Sequence, residues 1–287
     1  MYAVTGITGQ VGGAVARSLI EAGHKVRAVV RSEEKGAPWA ALGCEVAIAD
    51  YSNVAAMTKA FSGVEGVFVL MAPNYDPEPG YPQTVAANAA VRGALDAARP
   101  PKVVVLSTVG AHVERANLLN NLKMTEESLR TLPVPIAFLR AAWFFENSSW
   151  DLEAAKTGVV PCFLQPLDHP IPMIATADIG VAAAGLLSET WAGARVVELE
   201  APERYTALDI AAGLAAAFGH PVRMNPVPRA EWDTLFRSQG ARNPVPRIQM
   251  LDGFNEGWID FEGGTVERRR GTTTLNTGLK ALVDERA

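Results

Sequence analysis

The run Met1-Tyr-Ala-Val-Thr-Gly6-Ile-Thr-Gly9-Gln-Val-Gly12-Gly-Ala-Val-Ala-Arg17-Ser-Leu-Ile-Glu-Ala-Gly23-His24 decides how the rest of the chain is read. Residues 2–4 are small and apolar, as in a short buried strand. Val11, Ala14, Val15, Ser18 and Leu19 then share one face of a helix that Gly23 stops. Between strand and helix, Gly6, Gly9 and Gly12 recur at every third position. Gly6 permits a tight turn out of the strand, Gly9 lets backbone approach a phosphate, and Gly12 lets the helix lie close on the sheet. The free N–H groups at the helix start carry about half a positive elementary charge and attract a diphosphate. The residues expected to hold it are Gly6, Thr8, Gly9, Gln10, Val11 and Gly12.

A second strand, residues 26–30, follows at once, so the glycines sit in the strand-turn-helix-strand context that a dinucleotide site requires. An acid at the end of that second strand, about twenty residues beyond the glycines, reads a ribose 2′-hydroxyl. The residue there is Arg31, followed by Ser32. A guanidinium welcomes a 2′-phosphate through two parallel charge-assisted bonds, each contributing about 1.5–3 kcal/mol. NADP(H) is therefore expected over NAD(H), with Lys35 as a second candidate phosphate partner. Asp50 and Tyr51, at the end of the third strand, are placed to flank the adenine.

Strand and helix patterns alternate through the first half. Strands are expected at 26–30, 45–49, 66–71, 102–106 and 136–139, and helices at 37–42, 53–61, 84–98 and 117–131. Near-continuous apolar strands alternating with helices predict an α/β fold with a doubly wound parallel sheet covered on both faces. From about residue 150 prolines cluster, at Pro161, Pro166, Pro170 and Pro172. The division expected is 1–150 for the dinucleotide domain, with 174–200 returning to it, and 151–287 for a smaller α+β substrate domain lying over the strand ends. Thr206 is expected to cap a helix to Phe218, with Asp209 in its first turn and Gly219 as its stop. Further helical stretches are expected at 229–238 and 246–256.

Composition narrows the partners. The chain has 287 residues, 48% hydrophobic and 20% charged, with net charge −5, so no global field favours nucleic acid or an anionic membrane. The basic run Glu267-Arg-Arg-Arg270 reads as a solvated turn. No apolar run reaches the roughly twenty residues that span a bilayer, and no leader precedes the first strand. The 2 cysteines, Cys44 and Cys162, and the 4 scattered histidines make neither a disulfide framework nor a metal site. A cytoplasmic, metal-free protein is expected. The alanine-rich stretch 84–98 suits either a core helix or a homodimer contact.

Several stretches together resemble the NmrA-like group of atypical short-chain dehydrogenase/reductases. They are Val4-Thr-Gly-Ile-Thr-Gly-Gln-Val-Gly12, Val29-Val-Arg31, Ala49-Asp-Tyr51, Val67-Phe-Val-Leu-Met-Ala-Pro73, Leu106-Ser-Thr-Val-Gly-Ala111, Lys123-Met-Thr-Glu-Glu127, Leu139-Arg-Ala-Ala-Trp-Phe-Phe-Glu-Asn147 and Ala177-Asp-Ile179. Tyr205-Thr-Ala-Leu-Asp-Ile210 and Pro228-Arg-Ala-Glu-Trp232 are similar to the quinone-reductase and triphenylmethane-dye-reductase branch. The resemblance implies a Rossmann-type domain binding NAD(P) and a small C-terminal substrate domain. Its members include NADPH-dependent reductases and non-catalytic redox sensors that bind the cofactor and a regulatory protein partner.

In short-chain reductases a Ser, and a Tyr one helical turn before a Lys, carry the chemistry: the Tyr protonates the carbonyl oxygen and the Lys holds the ribose. By position Ser107 or Thr108 stands for the Ser, and Lys123 for the Lys. The position one turn before Lys123 is Leu119, and no tyrosine occurs between Tyr81 and Tyr205. An acceptor that becomes a delocalised anion on taking hydride draws its proton from water and dispenses with that acid. A quinone-like or other conjugated acceptor is therefore expected, with Trp143, Phe144 and Phe145 as an apolar slot and Asn147 orienting the acceptor or capping the next helix. Met71, Ala72 and Pro73 are expected beneath the nicotinamide half, and His112 reads as a surface residue. The alternative is a redox sensor that binds NADP(H) and turns nothing over.

Overall fold

A computed structural model describes residues 1–286. The amino-terminal half alternates as expected: β1 (Tyr2–Val4), α1 (Gln10–Glu21), β2 (Val26–Val30), α2 (Glu33–Ala41), β3 (Glu45–Ile48), α3 (Val54–Phe61), β4 (Gly66–Val69), α4 (Pro82–Ala98), β5 (Val103–Thr108), α5 (Asn120–Leu129) and β6 (Ile136–Ala141). Then come β7 (Trp143–Phe144), a 3-10 turn (Phe145–Trp150), α6 (Leu152–Lys156), β8 (Val159–Cys162), β9 (Met173–Ile174), α7 (Thr176–Ser188) and β10 (Ala194–Glu200). The chain ends with α8 (Ala207–Phe218), β11 (Arg223–Pro226), α9 (Trp232–Ser238), α10 (Val245–Asn255), β12 (Glu267–Arg270) and α11 (Leu275–Asp284).

The main sheet has 8 strands in the order β12-β10-β6-β5-β4-β1-β2-β3. Each of its pairings is parallel. Parallel strands buried on both faces need apolar side chains throughout, and Val67, Phe68, Val103, Val104, Val105, Phe138 and Leu139 are each 0% exposed. Helices α1 and α7 pack together against one face; α3, α4 and α5 cover the other. The alanine-rich α4 thus spends its apolar stripe, Val91, Ala94 and Leu95, on the core. From β1 the chain winds outward through β2 to β3, then returns beside β1 as β4 and winds the other way. The carboxyl ends of β1 and β4 are therefore the switch point, where open α/β sheets bind ligands.

Two differences from the sequence reading have clear causes. Helix α2 begins at Glu33 because Ser32 caps it, accepting the Lys35 amide at 3.4 Å, and Glu33 and Glu34 in the first turn favour the helix dipole. The run Glu267–Arg270, expected as a solvated turn, is an edge strand paired with β10. Its charges have partners: Arg268 lies 3.5 Å from Glu198 and 3.7 Å from Glu200, and Arg269 lies 2.8 Å from Glu189. Arg269, with Arg195 adding, pulls the Glu189 carboxyl down to about 2. A charged strand suits a sheet edge, where it discourages pairing with another chain.

The carboxy-terminal part is not a block apart, since β10 and β12 stand in the main sheet. Over the strand ends, β8 and β11 form a small parallel pair. Trp232, Phe236, Ile248 and Leu251 make the core of the covering helices α9 and α10. Helix α8 starts with the expected box: Thr206 accepts the Asp209 amide at 3.1 Å while Asp209 accepts the Thr206 amide at 2.8 Å.

Candidate active site

At the end of β1, Gly6 has φ 62°, a left-handed conformation that favours glycine. Its carbonyl accepts the Gly9 amide at 2.9 Å and closes the turn. A Cβ on Gly12 would sit 2.2 Å from Gly6 O and 2.4 Å from Gly6 C, so this helix start approaches the loop more closely than any side chain allows. A Cβ on Gly9 would meet only Gly6 O, at 3.4 Å. No side chain caps α1. Its leading amides, at Gln10, Val11 and Gly12, are those that a helix leaves without internal acceptors.

Beside this helix front lies a cavity of about 420 Å³ lined by Thr8, Gly9, Arg17, Lys35 and Trp39, among others. Two cations facing free amides suit a phosphate. Lys35 was a sequence candidate. Arg17 and Trp39 were missed, because a polar residue on the outer face of α1 and a tryptophan in α2 announce no ligand until the two helices are seen side by side. Arg31 is exposed and has no carboxylate partner among the described residues. Its charge acts on Asp50 and Tyr51, so the three lie near one another.

Asp50 is exposed and accepts the Ser52 amide at 2.7 Å as well as the Ser52 hydroxyl; these bonds, chiefly the hydroxyl's, hold its carboxyl below the ordinary range. The Tyr51 hydroxyl donates to Leu70 O, tying the end of β3 to the end of β4, and burial raises its pKa. Its ring walls a cavity of about 200 Å³ with Met71, Ala72, Pro73, Thr84 and Asn121. Asn121 Oδ1 is buried there without a hydrogen-bond partner among the described residues. An orphaned acceptor in a cavity suits a hydroxyl or amine of a ligand. The close-approach glycine, the free amides, the two cations and this acceptor together fit a dinucleotide with a phosphorylated ribose.

The ends of β5 and β6 redistribute the expected catalytic residues. Ser107 is 3% exposed and its hydroxyl donates to Glu126 at 2.5 Å. Glu126 also accepts Arg140 Nε and Nη2, each at 2.9 Å, and Arg140 reaches Glu262 at 2.6 Å. Ser107 thus takes part in a buried ion-pair network between α5 and β6. Thr108 donates to Val109 O at 3.1 Å and is 8% exposed. Lys123 sits on α5 with its stem buried and Nζ 2.5 Å from Glu114. Leu119, where the tyrosine would stand, packs its side chain against the core.

Beyond β6, Trp143 and Phe144 are half-buried, and Trp143 meets Phe254 of α10 edge-on at 5.2 Å. Phe145 faces the other way. It is 1% exposed, lies edge-on to Tyr205 at 5.6 Å and packs on α11 at Gly278, so it belongs to the core and not to a slot. Alternation along the chain separates it from Phe144, a distinction that three consecutive aromatics hide. Asn147 is half-buried and bonds to no side chain or backbone group among the described residues. The capping role falls to Glu146, which accepts the Thr176 amide at 2.9 Å and hydroxyl at 2.8 Å at the start of α7. Asp151, missed in the sequence, is a half-buried carboxyl that burial pushes up to about 7. His112 lies within electrostatic reach of Glu262, and its Nδ1 is buried without a partner among the described residues.

A glycine-cradled helix front at the switch point of a parallel sheet defines a Rossmann-type dinucleotide-binding protein. The chain belongs to the NmrA-like family, whose profile matches residues 2–256. Quinone oxidoreductase 2 of Escherichia coli strain K12 is 30% identical over 291 aligned residues covering 98% of each chain. The crystal structure of that NADPH-dependent enzyme with NADPH superposes with a TM-score of 0.80 at 27% identity, over 98% of this chain and 99% of that one. A Streptomyces griseus (4-alkanoyl-5-oxo-2,5-dihydrofuran-3-yl)methyl phosphate reductase is 30% identical over 226 residues, 78% of this chain and 76% of its own. Triphenylmethane reductase of Citrobacter sp., solved with NADP(H), shares the fold with a TM-score of 0.79 at 24% identity, over 98% and 99% of the two chains. Among the described residues no helix is long and apolar enough to cross a membrane.

Proposed function

We propose that this chain is an NADP(H)-dependent reductase that delivers hydride to a quinone-like or other conjugated acceptor without a tyrosine acid. The observation that carries the reading is an intact dinucleotide cradle next to a triad position filled by a packed leucine, Leu119. The bound cofactor would supply the hydride. The amides at Gln10 to Gly12 would hold its diphosphate, Arg31, Lys35 and Arg17 its 2′-phosphate, and Lys123 its nicotinamide ribose. Met71, Ala72 and Pro73 would lie beneath the nicotinamide, and Asp50 and Tyr51 beside the adenine.

What the chain then has to do is orient a flat acceptor and exclude the side reactions of water. Trp143 and Phe144, half-buried beneath α10, offer that apolar face. Conjugated acceptors spread the incoming charge over their oxygens, so solvent can supply the proton and no side chain must titrate for it. The E. coli quinone reductase and the reductase from Streptomyces griseus support this acceptor class. The cytoplasm is the setting proposed, in keeping with two free cysteines, Cys44 and Cys162.

The test is a steady-state assay of purified protein with a panel of quinones, read by the loss of reduced-nicotinamide absorbance. Continuous NADPH consumption, faster than NADH consumption, is expected. Tight NADPH binding with no turnover on any acceptor would instead mark a cofactor sensor acting through a protein partner.

A further inference from the structure

Just beyond Asn74, which lines the cavity of about 200 Å³, the loop after β4 is fastened to the segment before α10. The Asp76 carboxylate accepts the Arg242 amide at 3.0 Å and the Asn243 amide at 2.6 Å, while Asn243 Nδ2 donates to Pro77 O at 2.7 Å. This latch holds Tyr75, whose ring meets Trp150 edge-on at 5.7 Å; the two are 52% and 63% exposed. Large aromatic rings left open at the rim of a cleft are unusual without something to cover them. Trp150 ends the 3-10 turn that begins next to Phe144, so this pair continues the aromatic face outward.

Arg247, in the first turn of α10, lies within electrostatic reach of Tyr75. Its guanidinium carbon lies over the Phe236 ring, 4.2 Å from its centre, a cation–π contact. It is half-buried, and among the described residues it has neither a carboxylate nor a carbonyl partner. The other arginines without such partners, Arg17, Arg31, Arg223 and Arg286, are all exposed. Tyr75 is the one titratable group whose charge acts on Arg247, and burial holds the Arg247 pKa below its ordinary value. Tyr75 is neutral near neutral pH, since burial raises its own pKa, so it does not balance the cation. A guanidinium that is partly desolvated, stacked and unpaired is poised for an oxyanion, which it takes through two parallel bonds.

We propose that Arg247 recognises an oxyanion on the acceptor: the substrate is a flat conjugated carbonyl compound that carries a carboxylate, sulfonate or phosphate. Its ring system lies along the face from Trp143 to Tyr75 and Trp150, and its anionic group rests on Arg247. This rests on the reductase reading above, and it adds a substrate class that the nicotinamide side of the site does not specify.

The experiment compares 1,2-naphthoquinone with 1,2-naphthoquinone-4-sulfonate as acceptors for the wild type, Arg247→Gln and Arg247→Lys. Taking the ratio of the two kcat/KM values within each protein, and comparing ratios between proteins, cancels the difference in intrinsic reactivity. The sulfonate-to-neutral ratio is expected to fall at least tenfold in Arg247→Gln, through KM and not kcat, and to recover in part in Arg247→Lys. Equal ratios in all three proteins overturn the proposal, because a merely structural arginine would lower both activities together. If the wild type reduces neither quinone, the reductase reading has failed, and the anion site is then read by calorimetric titration of 2-naphthalenesulfonate into the NADPH-saturated protein. Binding that Arg247→Gln abolishes supports the site; equal heats in both proteins, or none in the wild type, overturn it.

Discussion

Replacing Gly9 and Gly12 separately with alanine should split cofactor binding from folding. On Gly12 the new methyl would begin 2.2 Å from Gly6 O and 2.8 Å from Ile7 N, both backbone atoms that no rotamer change can move. Restoring an ordinary contact of about 3.4 Å means shifting the front of α1 by roughly 1 Å, and overpacking of that kind costs about 1–3 kcal/mol. In a protein of this size each kcal/mol lowers Tm by about 2–4 °C, so Gly12→Ala should melt several degrees early and bind NADPH poorly as well. On Gly9 the methyl meets only Gly6 O, at 3.4 Å, and the backbone there is ordinary extended chain with φ −97° and ψ 176°. Gly9→Ala should therefore melt within about a degree of the wild type while its methyl occupies the approach to the diphosphate. Loss of about 1.4 kcal/mol or more of binding there is a tenfold or greater rise in Kd. Thermal melts and fluorescence titration with NADPH measure both quantities. Wild-type NADPH affinity in a normally folded Gly9→Ala protein would refute the placement of the diphosphate at the front of α1, and a wild-type melt for Gly12→Ala would refute the close approach itself.

Three further outcomes are expected. Arg31→Asp should raise KM for NADPH at least tenfold and change KM for NADH far less, since one charge-assisted bond is worth about 1.5–3 kcal/mol; equal effects on the two cofactors would separate Arg31 from the 2′-phosphate. Glu126→Ala leaves the buried Arg140 only its Glu262 partner and should cost about 2–4 kcal/mol by denaturant unfolding, whereas Ser107→Ala removes one bond to Glu126 and should cost about 1 kcal/mol with kcat on a quinone essentially kept. A collapse of kcat in Ser107→Ala at unchanged stability would return that hydroxyl to the chemistry. Burial raises Asp151 from 3.8 to about 7, so its contribution to stability is whole below about pH 4 and is lost as pH rises through 7. Asp151→Asn should remove that loss, making the variant more stable than the wild type by about 2 kcal/mol at pH 8 and by much less at pH 5. A stability difference that does not change with pH would show that the carboxyl ionises freely.

The parts of the structure that the sequence makes legible are those built from neighbours along the chain. The strand-turn-helix at Gly6, Gly9 and Gly12, the alternating elements to β6, and the Thr206–Asp209 box each rest on residues a few positions apart, where periodicity and capping rules apply. What stayed hidden depends on distant segments. Glu267–Arg270 reads as a turn because every residue in it is charged, and it is a strand because β10 pairs with it and brings Glu198 and Glu200 alongside. The bond from Ser107 to Glu126, and Arg140 beside it, also join segments far apart in the chain. Phe145 looks like part of a slot until Tyr205 and α11 enclose it.

The same reasoning explains why one short-chain reductase position can change while the fold keeps its cofactor. On the reading proposed above, the dinucleotide rests on backbone amides and on the close helix-loop approach at Gly12, neither of which depends on the side chains of β5 or α5. The tyrosine position, by contrast, is one side chain, Leu119, at the residue just before α5, and a change there need not disturb either β5 or the glycine loop. Ser107 is hydrogen-bonded to Glu126, which also pairs with Arg140, and Leu119 packs against the core. On the reading proposed above, a site with a leucine at the tyrosine position is suited to acceptors whose product anions are stable. Its selectivity must then come from the walls, which is why the unpaired Arg247 and the exposed Tyr75–Trp150 pair carry the specificity that the floor of the cleft does not.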